Sequence, residues 1–420
     1  NIIITDLKSG EKKLSWHQKL LFCCDQEPLD FNYYSNNIED IKDTFAEKEM
    51  LTIVNDPLSE KILKKRNISA HRTVPYSIYD KKLILHSEKN SEDLKKYEEN
   101  GFLGIYYWSH AFIGLDWYRF AKYDNAIKQL PTTNFSTDFN IYCRAWTGSR
   151  EYRLKLLDLL RENKIDKTSS IFFNEYCDNN HYSTYKIEEK KWQFNKNNIG
   201  NLDNVVFRDI DSSASATYNT DDYKKSAIDV VLETIFDKKK IQLTEKVLRP
   251  IACGKPFILV SERGSLEYLR SYGFKTFENL IDEKYDSIED PLERLNAIIK
   301  TMKEISNLNS KEKNKLFLEM HYIAEYNRKW FFSDDFFEII NSELKNNLSK
   351  AFEFIENPDF KTAKEIRIIY RAYRKYKKYL GFETQRMLTP FLLDCNERIN
   401  SSMKIWENVN TSSVYRHTQE

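Results

Sequence analysis

An acid and a base lie side by side at a predicted helix start. Thr244 has a side chain suited to cap a helix, and the apolar Val247 and Leu248 begin a spacing typical of one buried helix face. Glu245 and Lys246 then fall in the first turn, where free backbone N–H groups and the helix dipole favour an anion. A lysine there suits a phosphate, and a glutamate suits the hydroxyls of a ribose. The pattern predicts a nucleotide site.

A second candidate phosphate site lies a hundred residues earlier. The apolar run 139–143 predicts a strand, and a loop with one glycine separates it from a helix that we expect to start at Arg150 with Ser149 as its cap. A strand, a loop and a helix form the first unit of a nucleotide-binding half-fold, although no GxGxxG fingerprint is present. Arg144, Arg150 and Arg153 could bind a phosphate, or could be ordinary surface arginines.

Candidates for acid–base chemistry follow two predicted strands. Asp25 and Glu27 come directly after the apolar run 20–24, at the edge where α/β folds place binding groups. The alternative for this pair is a polar turn. His110 follows the predicted strand 103–108, and a lone histidine in such a place is either catalytic or structural.

Composition sets the broad class. The chain has 420 residues, of which 41% are hydrophobic and 31% charged, so we expect a folded protein of two or three domains. The net charge of +1 indicates no global attraction to nucleic acid or to a membrane surface. No apolar run approaches the roughly 18 to 20 residues that cross a bilayer. The six cysteines show neither metal-ligand nor disulfide-framework spacing, which favours a reducing cytoplasm.

The order of predicted elements indicates an α/β fold of two Rossmann-like domains. We expect an N-terminal domain over 1–130, a C-terminal domain over 136–335 and a helical extension over 336–420. Among the predicted local features, one helix starts near Asp116, another begins at a Ser265 cap, and Gly254 and Gly273 end helices.

Two further segments have open interpretations. Asp209 and Asp211 could hold Mg²⁺ or Mn²⁺ against a pyrophosphate, but such pairs are common in solvated loops, which is the interpretation we favour. Segment 360–382 interleaves lysines and arginines with tyrosines. It could contact nucleic acid, or it could be a solvated helix face with its tyrosines packed inward, and the second interpretation is favoured.

At residues 244–246 the sequence resembles the donor-binding motif of fucosyltransferase-like glycosyltransferases of the GT-B type. The chain as a whole resembles glycosyltransferase-type proteins of tailed phages over about residues 20 to 300. The resemblance rests on segments 25–29, 144–153, 231–234, 243–248, 252–257 and 264–277. Thr234 stands where those fucosyltransferases usually carry an asparagine.

The resemblance implies a nucleotide sugar bound to the C-terminal domain and an acceptor bound against the N-terminal one. It implies that Glu245 binds the ribose, Lys246 the pyrophosphate, and an arginine at 144, 150 or 153 a phosphate, with Glu233 near the donor. It also implies that the nucleotide sugar is a substrate, with no cofactor and no bound metal. For a phage-encoded protein the compartment would be the host cytoplasm.

Sugar transfer needs a base for the acceptor hydroxyl and positive charge for the departing nucleoside diphosphate. We expect Glu27 to be the base, because Asp25 beside it could raise its pKa, with His110 and Asp116 as reserves. Two alternatives to transfer onto a glycan, protein or small molecule are open. One is a phage enzyme that glycosylates hydroxymethylated pyrimidines in DNA, with 360–382 as the DNA contact. The other is a non-catalytic binding or virion-associated protein on the same scaffold.

Overall fold

The chain is represented by a computed structural model that describes residues 2–5, 19–23, 28–29, 50–53, 81–99, 102–207 and 215–355. These residues form a mixed α/β structure with two five-stranded sheets. The chain divides into two compact units. Unit 1 comprises residues 1–88, 92–112 and 340–420, and unit 2 comprises residues 89–91 and 113–339.

The sheet of unit 1 is mixed. Its strands are β1 (Ile2–Thr5), β2 (Lys19–Cys23), β3 (Met50–Ile53), β4 (Lys81–His86) and β5 (Phe102–Tyr106). They lie in the order β3-β1-β2-β4-β5. Strands β2, β4 and β5 are parallel, whereas β1 is antiparallel to both of its neighbours. One strand of this sheet therefore departs from the all-parallel pairing of a doubly wound domain.

The five-stranded sheet of unit 2 is wholly parallel. Its strands are β6 (Thr137–Cys143), β7 (Ser169–Phe173), β10 (Val205–Phe207), β11 (Ser226–Leu232) and β12 (Phe257–Val260), and the short hairpin β8 (Tyr176–Cys177) and β9 (Asn180–His181) pairs separately. The order is β10-β7-β6-β11-β12. Numbered along the chain this is 3-2-1-4-5, the order of a doubly wound nucleotide-binding sheet. The order reverses between β6 and β11, so a crevice is expected where those two strands end.

The helices of the two units complete the described part of the chain. Those of eight residues or more are α1 (Glu92–Glu99), α2 (Ser109–Trp117), α4 (Tyr152–Glu162), α7 (Glu245–Ala252), α9 (Pro291–Asn307), α10 (Ser310–Phe331) and α11 (Asp334–Ile355). The shorter ones are α3 (Asn125–Lys128), α5 (Lys196–Gly200), α6 (Thr220–Lys225) and α8 (Ser265–Ser271). Helix α7 contacts β11 and β12 and packs against α10. Strands β11 and β12 are buried along their whole length, as in a parallel sheet covered on both faces, whereas the edge strand β10 exposes Val206.

Several local predictions are confirmed. Helix α7 begins directly after Thr244, whose side chain accepts a hydrogen bond from the Lys246 backbone N–H. The helix is short, with eight residues, and contains Pro250. Gly254 and Gly273 follow their helices with φ of 64° and 86°, the left-handed conformation that favours glycine.

Three predicted helix starts are wrong. Ser149 lies inside a short 3₁₀ turn, Gly148–Arg150, and the following helix α4 starts at Tyr152 without a side-chain cap. Ser265 is the first residue of α8, and Gly264 occupies the cap position with a φ of 78°. Asp116 lies near the end of α2, which starts at Ser109. For the two serines a glycine-containing turn sets the boundary and leaves only a weak local signal, whereas the start expected near Asp116 lies seven residues after the observed one.

The predictions for Asp25, Glu27, Asp209, Asp211 and segment 360–382 fall outside the described residues. Within the described part of the chain, no helix is both long enough and apolar enough to cross a bilayer.

Candidate functional site

A cavity of about 220 Å³ lies in unit 2, where β6 and β11 end. Its wall is formed by the last residues of these two strands, by the loop that follows β6, by residues between 215 and 222, and by α7. This is the reversal point of the strand order, the position at which open α/β sheets bind their ligands. The sheet topology and the cavity therefore identify the same place.

The cavity is strongly cationic. Its described lining includes five basic side chains, Arg144, Arg150, Arg153, Lys246 and Arg249, against a single carboxylate, that of Asp222. Positive charge of this density in a concave site favours an anion, and guanidinium groups suit the oxygens of phosphate. Four of the five basic residues are those that the sequence pointed to, from two separate segments.

Lys246 and Arg144 differ in how they are held. The Lys246 ammonium contacts Thr244 Oγ1 at 3.2 Å and Glu245 Oε1 at 3.0 Å, so it is fixed within the first turn of α7. Arg144 is half-buried on the loop after β6. Within the described residues its guanidinium has neither a hydrogen bond nor an ion pair. It can therefore donate to a ligand without breaking an existing contact.

Arg153 forms hydrogen bonds with the backbone around the cavity. It is buried, and its guanidinium donates to the carbonyl oxygens of Ala145 at 2.6 Å, Leu232 at 2.7 Å and Glu233 at 2.9 Å. These bonds join the loop after β6 to the end of β11, where the crevice opens. Arg153 thus shapes the cavity, and most of its donors are occupied. Arg150 lines the same loop and is half-buried.

Glu233 supports α7 from beneath. It is fully buried and does not line the cavity. Its carboxylate accepts hydrogen bonds from the Thr244 backbone N–H at 3.1 Å and from the Thr244 hydroxyl at 2.6 Å. Burial raises the pKa of Glu233, and the nearby Lys246 charge and the Thr244 hydroxyl oppose that rise. The side chain expected near the donor therefore anchors the start of α7.

Glu245 is placed differently from the expectation of a ribose ligand. It is buried, forms an ion pair with Lys246, and does not contribute to the cavity wall. Its backbone carbonyl accepts a hydrogen bond from the Tyr118 hydroxyl at 3.2 Å.

The cavity contains a fifth cation that sequence analysis missed. Arg249 is one turn after Lys246 on α7, and its side chain is only 15% exposed. Its guanidinium carbon lies 4.6 Å from the centre of the Tyr142 ring, and its Nη2 lies 3.7 Å from Asp229 Oδ2. Neither contact is a hydrogen bond, and the buried Nε has no acceptor among the described residues. An almost buried guanidinium without a hydrogen-bond acceptor is unusual.

Asp229 belongs to a buried polar cluster below Arg249. Asn140 Nδ2 donates to its Oδ1 and the Tyr223 hydroxyl donates to its Oδ2, each at 3.0 Å. Burial raises the pKa of Asp229, and the Arg249 charge opposes that rise. The cluster holds one carboxylate beside Arg249 and keeps it away from the cavity surface, since Asp229 is not part of the lining.

Asp222 is also absent from the sequence-based candidates. It lies in the first turn of α6 and is 6% exposed. Its Oδ2 accepts a hydrogen bond of 2.8 Å from the Tyr142 hydroxyl. Tyr142 thus contacts Asp222 through its hydroxyl and Arg249 through its ring. The sequence gives no local signal for this contact, because Tyr142 and Asp222 are 80 residues apart.

The reserve candidates for a base lie elsewhere. His110 belongs to unit 1, where it is buried and its Nδ1 lies 3.3 Å from Ser109 Oγ. Asp116 pairs with Arg119 at 3.1 Å on the last turn of α2. Neither residue lines the cavity of unit 2.

Comparison with known proteins adds no family to this description. No protein-family model matches the chain, and no curated protein matches it either.

Proposed function

We propose that this protein is a glycosyltransferase of the GT-B type, which transfers a sugar from a nucleotide-sugar donor to an acceptor hydroxyl. The observation that carries the proposal is the cationic cavity at the reversal point of the parallel sheet of unit 2. Lys246 and Arg144 reach it from two segments that the resemblance had linked to donor binding. Without a match to a known family, the proposal rests on this geometry and on the resemblance.

The charges of the cavity suit the departing group. As the bond from the anomeric carbon to the donor breaks, negative charge grows on the terminal phosphate oxygens. The Lys246 ammonium, fixed at the N-terminus of α7, and the Arg144 guanidinium, which has no protein acceptor in the described residues, would stabilise that charge. In this proposal the two cations fill that role without a bound metal ion.

The acceptor half of the reaction is assigned to the N-terminal part of the chain. Glu27 is proposed to remove the acceptor proton, with Asp25 beside it and His110 as the reserve. The acceptor itself is a glycan, a protein or a small molecule that carries a free hydroxyl.

Thermal shift against UDP-, GDP-, ADP- and CMP-sugars tests the donor site. We expect one donor to raise the melting temperature of the full chain at millimolar concentration, because a ligand that binds only the folded state stabilises it. Lys246→Met and Arg144→Met should reduce that shift. Lys300→Met is the matched control, since Lys300 is 73% exposed on α9 and pairs only loosely with Glu304 at 3.9 Å.

Transfer is then measured directly, as release of the nucleoside diphosphate in the presence of candidate acceptors. The absence of stabilisation by all four donors would refute the proposed function and favour a binding protein on this scaffold. Stabilisation that is equal in Lys246→Met, Arg144→Met and the control would place the donor elsewhere in the molecule.

A further inference from the structure

We propose that Asp222 and Arg249, both in contact with Tyr142, recognise the ribose and a phosphate of a nucleotide ligand. Asp222 accepts a hydrogen bond from a ribose hydroxyl, and Arg249 donates to a phosphate oxygen. The inference rests on the proposed function in one respect, namely that the ligand is a nucleotide. It replaces Glu245 as the ribose-binding residue and adds a phosphate ligand that the sequence motif does not indicate.

The assignment of Asp222 follows from the cavity lining. A carboxylate is a usual partner of the ribose 2′-hydroxyl, from which it accepts a hydrogen bond. Among the described residues of the wall, Asp222 is the one that has a carboxylate, whereas Glu245 is turned to Lys246 outside the lining. The Tyr142 hydroxyl occupies Asp222 Oδ2 and leaves Oδ1 without a partner in the described part of the chain.

Arg249 is assigned from its unused donors. A guanidinium carries five N–H groups, and none of those on Arg249 makes a hydrogen bond to a described residue, although the side chain is only 15% exposed. Burying a cation in this state is costly unless an acceptor completes it. The cavity is the open side of Arg249, so its acceptor is expected to enter as a ligand. A phosphate oxygen matches both the charge and the geometry of the group.

Tyr142 holds the two groups in one arrangement. The Arg249 guanidinium carbon lies 4.6 Å from the centre of its ring, and its hydroxyl donates to Asp222 at 2.8 Å. The ring also stacks on that of Phe172, with 5.0 Å between the ring centres. Because Tyr142 contacts both side chains at the cavity wall, Arg249 can donate to a phosphate while Asp222 accepts from a hydroxyl of the same ligand. Tyr142 is a positioning residue in this scheme.

Calorimetric titration of the full chain tests the pair, with UDP, GDP, ADP and CMP each compared with its 2′-deoxy counterpart. The wild type is expected to bind the ribonucleotide about ten-fold more tightly, the effect of one hydrogen bond to a charged group. Asp222→Asn should abolish most of this preference by weakening the ribonucleotide alone. Arg249→Met should weaken both members of a pair by about ten-fold or more.

Matched controls lie close by. Asp221→Asn changes the neighbouring, 75% exposed carboxylate, which pairs with Lys224, and Arg263→Met changes an arginine that is 52% exposed; neither residue lines the cavity. Both variants should bind as the wild type does. Tyr142→Phe is the second test should Asp222→Asn fail to fold. It keeps the ring under Arg249 and removes only the hydroxyl, so it should reduce the ribose preference and leave the affinity for the deoxynucleotide unchanged.

The outcomes separate this inference from the proposed function. Equal binding of ribo- and deoxyribonucleotides, or unchanged binding by Asp222→Asn and Arg249→Met, would overturn the pair, even if sugar transfer is observed. No binding of any of the four nucleotides at millimolar concentration would overturn it as well. A ribose preference that depends on Asp222 would support the pair, even if no donor sugar is transferred and the proposed function fails.

Discussion

The hydrogen bond from the Thr244 hydroxyl to the Glu233 carboxylate should contribute much of the local stability at the start of α7. Thr244→Val preserves the shape of the side chain and removes the hydroxyl. That hydroxyl accepts from the Lys246 backbone N–H and donates to the Glu233 carboxylate at 2.6 Å. The substitution therefore removes a helix cap and also one of the two Thr244 donors that satisfy a fully buried carboxylate.

The expected loss combines these two contributions. A lost threonine cap costs about 1 kcal/mol, and a lost hydrogen bond to a buried charged group costs roughly 1.5 to 3 kcal/mol. Together they predict that the free energy of unfolding falls by about 3 kcal/mol. For a domain of about 150 to 250 residues this corresponds to a decrease in melting temperature of roughly 6 to 12 °C.

Urea denaturation and thermal unfolding of Thr244→Val measure the effect, with Thr244→Ser as the matched control. Serine keeps the hydroxyl, so it should unfold within about 1 kcal/mol of the wild type. Equal stability of Thr244→Val and the wild type would show that the Glu233 carboxylate does not depend on this hydroxyl. A larger loss in the serine variant than in the valine variant would assign the effect to the methyl contacts instead.

Three further predictions concern buried ionisable groups and the base. Burial raises the pKa of Glu283 from 4.5 to about 7, so its contribution to the free energy of unfolding is greatest below pH 4.5 and is lost as the pH rises through 7. In pH-dependent urea denaturation, the free energy of unfolding of Glu283→Gln should therefore increase by up to about 3 kcal/mol relative to that of the wild type over this range. Burial lowers the pKa of Lys255 from 10.5 to about 7, so as the pH rises the folded state loses the Lys255 proton before the unfolded state does, and the wild type should gain stability over Lys255→Met between pH 7 and 10. A difference in stability that does not change with pH would contradict a neutral Lys255 in the folded state. Glu27→Gln should lower the rate of sugar transfer by about a hundred-fold or more with donor binding unchanged, and a full rate would exclude Glu27 as the base.

The parts of the fold that were predictable are those with local signals. The apolar run of β6 and the cap at Thr244 are specified by adjacent residues, and the structure has both within two positions of the prediction. Ser149 and Ser265 were misassigned, because a serine near a helix start does not reveal whether a glycine turn already sets the boundary.

The candidate site was only partly predictable, for a different reason. The basic residues Arg144 and Lys246 could be chosen by type and position, since a cation near a strand end or a helix start has a plausible ligand. The partners of Arg153 could not be foreseen, because backbone carbonyls accept from it and these leave no mark in the sequence. Arg249 and Asp222 are connected through Tyr142, which contacts both side chains. These contacts form only in the assembled sheet, so the sequence does not indicate them.

The pairing of β6 with β11 has a consequence for how the cavity comes into existence. The two strands are central in the sheet, and their register places Asn140 opposite Asp229, 89 residues later in the chain. Closing a loop of this length is entropically costly, so this contact is expected to form late in folding and slowly. A shift of one residue in the register would turn Tyr142 to the other face of the sheet. Ligand binding should therefore appear only in the last step of refolding, and fragments that end before β11 should not bind nucleotides at all.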